Sequence, residues 1–373
     1  MTDREAVALA LFGSPRRRIL AAAIRTLLGR PLPEIDTIPA LEAGESVVAW
    51  LCRCAAHRTP AAEARALLDT ADRLIAAAAR HGQRAVGLDD QAYPGPLRQI
   101  PDPPPVLWVR GDPAALSAPR MVAVVGARAA TRGGLAVAAD LAAGLAAAGV
   151  TVVSGLARGV DGAAHQAAVA QGGASVGVLG SGLDRLYPLE HTDLAAAMTQ
   201  HGAVVSEHPA HTPALPHHFP LRNRIISGLT AAVVVVEASE KSGSLITAMA
   251  ALEQGREVMA VPGPVGPGRH RGGHALLRDG ARLVEGADDV LAELGWAERA
   301  PARGAPRAGL APDLAAELGL EPTAEDFSAD EVGAATGRPI AAISARLAAL
   351  EIEGRIHRIG GGRFMATRNR VLT

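Results

Sequence analysis

The chain has 373 residues, 49% of them hydrophobic and 20% charged, and carries a formal net charge of −1. That length exceeds what one small core fills, so several domains are expected. The near-neutral balance excludes a globally basic nucleic-acid binder and leaves only local positive charge for such a role. No apolar run reaches the roughly 18 residues needed to span a bilayer, and the N-terminal MTDREAVALALFGSPRRRIL lacks the charged-then-apolar order of a secretory signal. A cytoplasmic protein without membrane contact is expected.

Residues 1 to 85 are rich in Ala, Leu and Arg. Apolar positions at three- and four-residue spacing predict helices over Glu5–Phe12, Arg17–Leu28, Ser46–Ala55 and Ala61–Arg80, broken by Pro31, Pro33, Pro39 and Pro60. An independent helical domain is expected there. Its Cys52 and Cys54, separated only by Arg53, are badly spaced for a disulfide and have no second ligand pair for zinc. A proline-dense connector follows, Tyr93–Pro113, in which the prolines permit only a brief strand, Val106–Arg110.

From Met121 short Val-rich runs alternate with Ala-rich helical segments. Strands are predicted over Val122–Val125, Thr151–Ser154, Ser175–Leu179, Ala203–Ser206, Ala232–Val236, Glu257–Val261 and, weakly, Arg282–Val284. Helices fall between them, including Gly134–Ala148, Gly162–Gln171, Asp193–Gln200 and Ser244–Gln254. Apolar strands joined by crossover helices form a parallel sheet covered on both faces. The fold class is therefore α/β, a Rossmann-like sheet over 86–296 of about seven strands. Residues 297–312, rich in Ala, Pro, Arg and Gly, read as a linker. Beyond them, over 313–373, helices Ser328–Thr336 and Pro339–Leu350 and a hairpin of Arg355–Ile359 with Arg363–Ala366 follow the order of a winged helix-turn-helix. Charge is sparse on its second helix.

Several strand ends carry anion-friendly loops. After the first, VAVVGARAATRGG places Gly126 at the strand end and Arg128 in the turn; the spacing is not G-x-G-x-x-G, and no acidic residue ends the second strand, so no nicotinamide or flavin cofactor is expected. The second strand runs into SGLARGVDGAAH, where Ser154, Gly155 and Gly159 make a tight loop with Arg158 over it. Asp161 and His165, four residues apart, share one helix face; they read as an N-cap carboxylate and a supporting histidine rather than as an acid–base pair. The third loop, LGSGLDRLYP, reads as structural, with Asp184 and Tyr187 bracing neighbours. His208, His211, His217 and His218 sit in a proline-broken loop without a metal-ligand pattern. In FPLRNRIISGL, Phe219, one of the chain's few aromatics, precedes Arg222, Asn223 and Arg224. The ring is placed to stack on a base while the arginines hold phosphate, or else to plug the loop. Finally KSGSLIT offers Lys241, the only lysine of the chain, Ser242 and Ser244 as helix caps, and Gly243 for close backbone approach. This is not Walker spacing, so ATP hydrolysis is not indicated.

Taken in order, GARAATRGG, SGLARGVDGAAH, LGSGLDRLYP, FPLRNRIISGL, KSGSLITA and EVMAVPGP resemble the DprA/Smf family of DNA-processing proteins, strongly over Gln91–Leu294. The resemblance implies an extended Rossmann fold with a SAM-like N-terminal domain, a homodimer that binds single-stranded DNA and loads the RecA recombinase during natural transformation. It implies a strand-binding pocket of Gly126, Arg128, Arg158, Phe219, Asn223, Arg224, Lys241, Ser242, Gly243 and Ser244, to which the loop reading adds Ser154, Gly155, Gly159 and Arg222. Two positions depart from the family pattern: His191 replaces an Asn, and Gly272–Gly273–His274 stands where the family reads G-T-N. A non-enzymatic single-strand binder is expected. The competing enzymatic reading, a nucleotide phosphoribohydrolase, needs a catalytic carboxylate, for which Glu237 is the candidate; the P-G-G-x-G-T run of such enzymes is missing. A recruitment scaffold with a vestigial pocket is the third reading.

Overall fold

A computed structural model describes residues 2–11, 61–266, 268–297, 312–321, 327–353, 355–358 and 363–366. The helices expected over Arg17–Leu28 and Ser46–Ala55, the two cysteines and the linker lie outside the described residues. The chain divides into two compact units, Met1–Ala297 and Glu298–Thr373.

In the first unit, helices α1 (Asp3–Leu11) and α2 (Ala61–Arg80) precede strand β1 (Gln83–Gly87), a short helix α3 (Gly95–Arg98) and β2 (Val106–Gly111). The repeating part then runs β3 (Met121–Val125), α4 (Arg132–Ala147), β4 (Thr151–Ser154), α5 (Val160–Ala170), β5 (Ser175–Leu179), α6 (Thr192–Met198), β6 (Ala203–Ser206) and α7 (His218–Gly228). It closes with β7 (Ala232–Val235), α8 (Ser244–Glu253), β8 (Glu257–Ala260), α9 (Arg271–Arg278), β9 (Arg282–Leu283) and α10 (Ala287–Glu293). All strands join one nine-stranded sheet in the order β1-β2-β6-β5-β4-β3-β7-β8-β9. The pairs from β6 through β9 are parallel, whereas β1–β2 and β2–β6 are antiparallel, with Trp108 opposite Ala85 on one side and Ser206 on the other.

The Val-rich runs become strands because every position has a buried destination. Along β3, Met121, Ala123 and Val125 enter one core with Val233 and Val235 of β7 and with Ile225, Ala248 and Leu276 of the helices beneath. Val122 and Val124 enter the opposite core with Val234 and with Leu141, Leu145, Ala164 and Val290. Period-two alternation between two dry faces requires apolar residues at successive positions, which is why these strands read as continuous runs.

Two expectations change here. The sheet has nine strands, not about seven, because β1 escaped notice and β2 continues the sheet as an antiparallel strand. The connector between them is anchored by buried Tyr93, whose hydroxyl donates to the Pro104 carbonyl at 2.7 Å, and by Arg98, which donates to the carbonyls of Leu88 and Asp90 at 3.0 Å each. The described N-terminal helices also form no separate body: Ala6, Val7, Ala8, Ala71 and Ala78 share a core with Ala85, Val106 and Trp108. The amide of Gly87 donates to the Asp3 carboxylate at 2.9 Å. Asp184 binds the same edge, accepting from Gln83 at 2.7 Å and Arg110 at 2.5 Å.

The second unit holds α11 (Pro312–Leu318), β10 (Phe327–Ser328), α12 (Ala329–Thr336), α13 (Ile340–Ile352), β11 (Ile356–Arg358) and β12 (Arg363–Ala366), the strands ordered β10-β12-β11. Ser328 and Glu331 form a reciprocal capping box at the start of α12, and Gly337, at φ 67°, ends it in the left-handed region. Ile343, Leu347 and Leu350 of α13 are buried with Val332, Phe327 and Phe364, while Ile340, expected on the same stripe, is exposed. This is the winged-helix arrangement, and Arg346 of its second helix is committed to Glu317 and Glu353. No helix among the described residues is long and apolar enough to cross a membrane.

Candidate nucleic-acid interface

Connections leaving β3, β4 and β5 lead toward the β6 side of the sheet, and those leaving β7 and β8 lead the other way. The carboxyl ends of β3 and β7, which pair with Val125 opposite Val235, therefore border the point where the winding reverses, the usual position of a ligand crevice in open α/β sheets. A cavity of about 780 Å³ opens there. Its wall combines the loop after β3 (Gly126, Arg128), the segment after β7 (Glu237, Ser242, Gly243, Ser244), the face of α7 bearing Phe219, Arg222 and Asn223, the buried Asp161, and Tyr187 and Arg269.

Helix α7 delivers the aromatic residue. Phe219, Arg222, Asn223 and Arg224 lie on this helix and not in a loop as expected; Pro220 sits in its first turn, where the missing N–H costs nothing. Phe219 receives the Arg128 guanidinium over its ring at 5.0 Å and meets Tyr187 edge-on at 5.9 Å. Arg158 in turn lies over Tyr187, 5.9 Å from the ring centre. Tyr187, expected as a brace, thus belongs to the wall.

The four guanidiniums grouped by sequence have different fates. Arg128 is exposed and makes no ion pair among the described residues. Arg158 is exposed but bound in a two-point pair to Glu190 at 2.5 and 2.7 Å, which holds its pKa above the ordinary arginine value, and it does not line the cavity. Arg222 is buried, donates to the Val178 carbonyl and sits against Gly155, where any Cβ would collide with it. Burial pushes the Arg222 pKa down to about 10 and that of facing Asp161 up, each charge partly offsetting the loss of the other. Arg224 does not line the cavity. It grips Glu207 at 2.8 and 3.1 Å and Asp102 at 3.1 Å; burial opposes its charge, but these carboxylates outweigh that and raise its pKa. The expectation that Arg224 holds phosphate is corrected accordingly: its donors are spent joining α7 to Glu207 after β6 and to Asp102 of the proline-rich connector.

The SGLARG loop is likewise internal. The Ser154 hydroxyl donates to the Val124 carbonyl at 2.7 Å, and the amides of Gly155 and Ala157 donate to Asp161 at 3.1 and 3.4 Å. Gly159 adopts φ 79° with its α-carbon against the Ala127 and Arg128 carbonyls, so a side chain fits neither the conformation nor the space. None of Ser154, Gly155 or Gly159 lines the cavity; Gly159 packs against the carbonyls of the Arg128 turn, Gly155 against Arg222, and Ser154 against β3. Asp161 is not the N-cap expected of it, a position taken by Gly159. His165 faces Ser175 at 2.7 Å rather than Asp161, so no acid–base pair forms, and burial pushes its pKa down to about 3. The departure at His191 is accommodated by a hydrogen bond to the Leu156 carbonyl at 3.0 Å, and that at His274 by one to Gly263 at 3.0 Å.

At the KSGS segment, Ser242 and Ser244 do not cap α8. Their hydroxyls bond each other at 2.8 Å, and the N-cap Gly243 has no side-chain partner. The amides of Leu245 and Ile246 donate to the Ser242 and Gly243 carbonyls at 3.1 and 3.2 Å; the amides of Gly243 and Ser244, without an acceptor among the described residues, are those that favour an anion beside the cavity. The side-chain amide of Asn223 donates from Nδ2 to the Gly243 carbonyl at 3.2 Å and ties this segment to α7. Lys241 is exposed beside the wall and forms no ion pair among the described residues. Glu237, 1% exposed, accepts from the Thr131 amide at 3.1 Å and its hydroxyl at 2.7 Å, while the same hydroxyl caps α4 by accepting from the Gly134 amide. Arg269 is a charged lining residue that sequence reasoning missed, since it belongs to no motif. Among the described residues no group of three or more His, Cys, Asp or Glu is arranged to hold a metal ion.

Together the sheet, its crevice and the separate C-terminal unit define a Rossmann-like α/β protein with an appended winged helix. Residues 84–295 match the model of the family described as DNA recombination-mediator protein A, and residues 298–362 match the DprA winged helix domain. The chain belongs to this DprA/Smf family. It is 42% identical to Protein Smf of Escherichia coli over 285 residues, covering 74% of this chain and 75% of that one. It is 43% identical to the DNA processing protein DprA of Bacillus subtilis over 222 residues, 60% of this chain and 75% of the relative. Among solved structures, DprA of Streptococcus pneumoniae superposes with a TM-score of 0.63 at 32% identity, over 79% of this chain and 98% of that one. DNA processing protein A of Helicobacter pylori, solved to describe its single-stranded DNA binding mode, gives 0.50 at 28% identity over 54% and 92%.

Proposed function

We propose that this chain is a non-enzymatic binder of single-stranded DNA that protects incoming strands and loads the RecA recombinase, acting in the cytoplasm as a homodimer. The observation that carries the reading is the exposed Arg128 guanidinium over Phe219 at the mouth of a cavity bordered by the α8 N-terminus. A phosphate needs a cation and amide donors, and a base needs a π-face; all stand within one crevice. The binding set is Gly126, Arg128, Phe219, Asn223, Lys241, Ser242, Gly243 and Ser244, with Ser154, Gly155, Gly159 and Arg222 as its inner support and Arg158 at its rim beside Tyr187. The single-stranded DNA described for the Helicobacter pylori relative supports the same ligand. Glu237 serves as a brace in this reading, because its carboxylate is occupied by Thr131.

Titration of labelled oligo-dT at several salt concentrations tests this. Wild-type protein binds with affinity that falls as salt rises, by a slope of about −0.7 per phosphate neutralised, and Arg128→Glu or Lys241→Glu weakens it strongly while the thermal transition stays in place. Unchanged affinity in both variants would overturn the assignment. Release of free base from nucleoside monophosphates would favour the phosphoribohydrolase instead.

A further inference from the structure

Arg269 reaches the cavity from the connection between β8 and α9, a segment rich in Gly and Pro that none of the other lining residues share. Its Nη1 donates to the Ala129 carbonyl at 2.9 Å and lies 3.9 Å from Oε1 of Glu237. The second separation is too long for a hydrogen bond. Glu237 is buried and turns its other oxygen to Thr131, whereas the Arg269 side chain is 56% exposed. A guanidinium carries five N–H donors, and this one makes no further hydrogen bond among the described residues.

The placement has an electrostatic logic. A buried carboxylate beside a cavity that takes phosphate repels its ligand, and a cation held next to it offsets that repulsion. Arg269 is tethered firmly enough by Ala129 to stay near Glu237 and loosely enough to turn to a stronger acceptor. Because β8 follows β7 in the sheet, Arg269 also lies on the side of the crevice toward β8, opposite the segments that follow β4 and β5.

We propose, resting on the single-strand reading above, that Arg269 is a phosphate-contacting residue of the cavity. It extends the path of the strand from the Arg128–Phe219 pair across the crevice to the β8 side, and Glu237 holds it in reserve until a phosphate takes its place.

The experiment compares full-length wild type with Arg269→Ala, Arg269→Lys, Glu237→Gln and the Glu237→Gln/Arg269→Ala double variant, measuring oligo-dT affinity against salt. Loss of one phosphate contact predicts about 3- to 10-fold weaker binding for Arg269→Ala at low salt and a salt slope shallower by about 0.7. Arg269→Lys recovers most of both. Glu237→Gln, which keeps an oxygen for Thr131, tightens binding severalfold, and the gain vanishes in the double variant, the mark of direct coupling. Arg269→Ala with wild-type affinity and slope overturns the inference, as does weaker binding with an unchanged slope and no rescue by lysine. Failure of the wild type itself to bind the oligonucleotide overturns instead the reading on which it rests. Should Glu237→Gln fail to fold, the Arg269 variants decide the matter alone.

Discussion

The Arg128 guanidinium lies 5.0 Å from the centre of the Phe219 ring, although the two residues come from the β3–α4 turn and from helix α7. The ring face favours the cation there by a cation–π contact, while the ring itself packs beside Gly180 and meets Tyr187 edge-on. Phe219→Ala removes the stacking surface while Arg128 keeps its charge. Stacking on an aromatic side chain is worth about 1–3 kcal/mol per base, so affinity for oligo-dT should fall by roughly 5- to 150-fold with the salt slope unchanged, whereas Arg128→Ala should lower affinity and slope together. Anisotropy titrations at three salt concentrations separate the two effects.

Arg224 behaves differently under the same treatment. Its pair with Glu207 is largely buried, although Asp102 on its other side is partly exposed, and removing one partner of a buried ion pair costs about 3–5 kcal/mol. Arg224→Ala is expected to lower the urea midpoint markedly, while the protein that remains folded keeps its salt slope. A normal urea midpoint with a shallower slope would return Arg224 to the binding set.

Two glycines test the inner support. Gly159→Ala forces a side chain into φ 79° and against the Ala127 carbonyl; backbone strain of this kind costs on the order of 1–3 kcal/mol. Gly155→Ala displaces Arg222 from the loop instead. Both variants should bind oligo-dT more weakly than their loss of stability explains, because each shifts the turn that carries Arg128. Equal losses of stability with intact affinity in the folded fraction would show that the turn is held by other means.

His165 sets an acid limit. Burial pushes its pKa down to about 3, against about 6.5 in an unfolded chain. The unfolded state therefore binds the extra proton first as pH falls, and the stability contributed by neutral His165 is present above pH 6.5 and lost progressively toward pH 3, by up to about 1.4 kcal/mol per unit. Urea midpoints measured between pH 7.5 and pH 5 should fall more steeply for wild type than for His165→Gln, which cannot take up the proton. Parallel curves would mean that water reaches the ring.

Much of this site was legible from residues alone, and the reason is local. Gly126 and Arg128 directly follow β3, and Ser242, Gly243 and Ser244 lie between β7 and the helix after it; both strands have apolar runs that announce themselves, so the place of these residues at a carboxyl end of the sheet follows from the alternation of strand and helix. Gln83–Gly87 was missed because its QRAVG has one polar and one charged residue and no neighbouring motif; only pairing with β2 makes it a strand. Arg269 left no local trace, since its partners Ala129 and Glu237 are more than thirty positions away.

The sequence by itself determined the α/β class, the winged-helix tail, the family and the loops that can meet an anion, because helix and strand periods, turn glycines and caps act over a few residues. Tertiary structure decided which of those loops share a crevice and which cations remain available. Arg128, Arg158, Arg222 and Arg224 are chemically identical side chains. Only the position of their neighbours in space binds Arg158 to Glu190 and Arg224 to Glu207 and Asp102, buries Arg222 against the Val178 carbonyl, and leaves Arg128 over Phe219 with no carboxylate partner among the described residues.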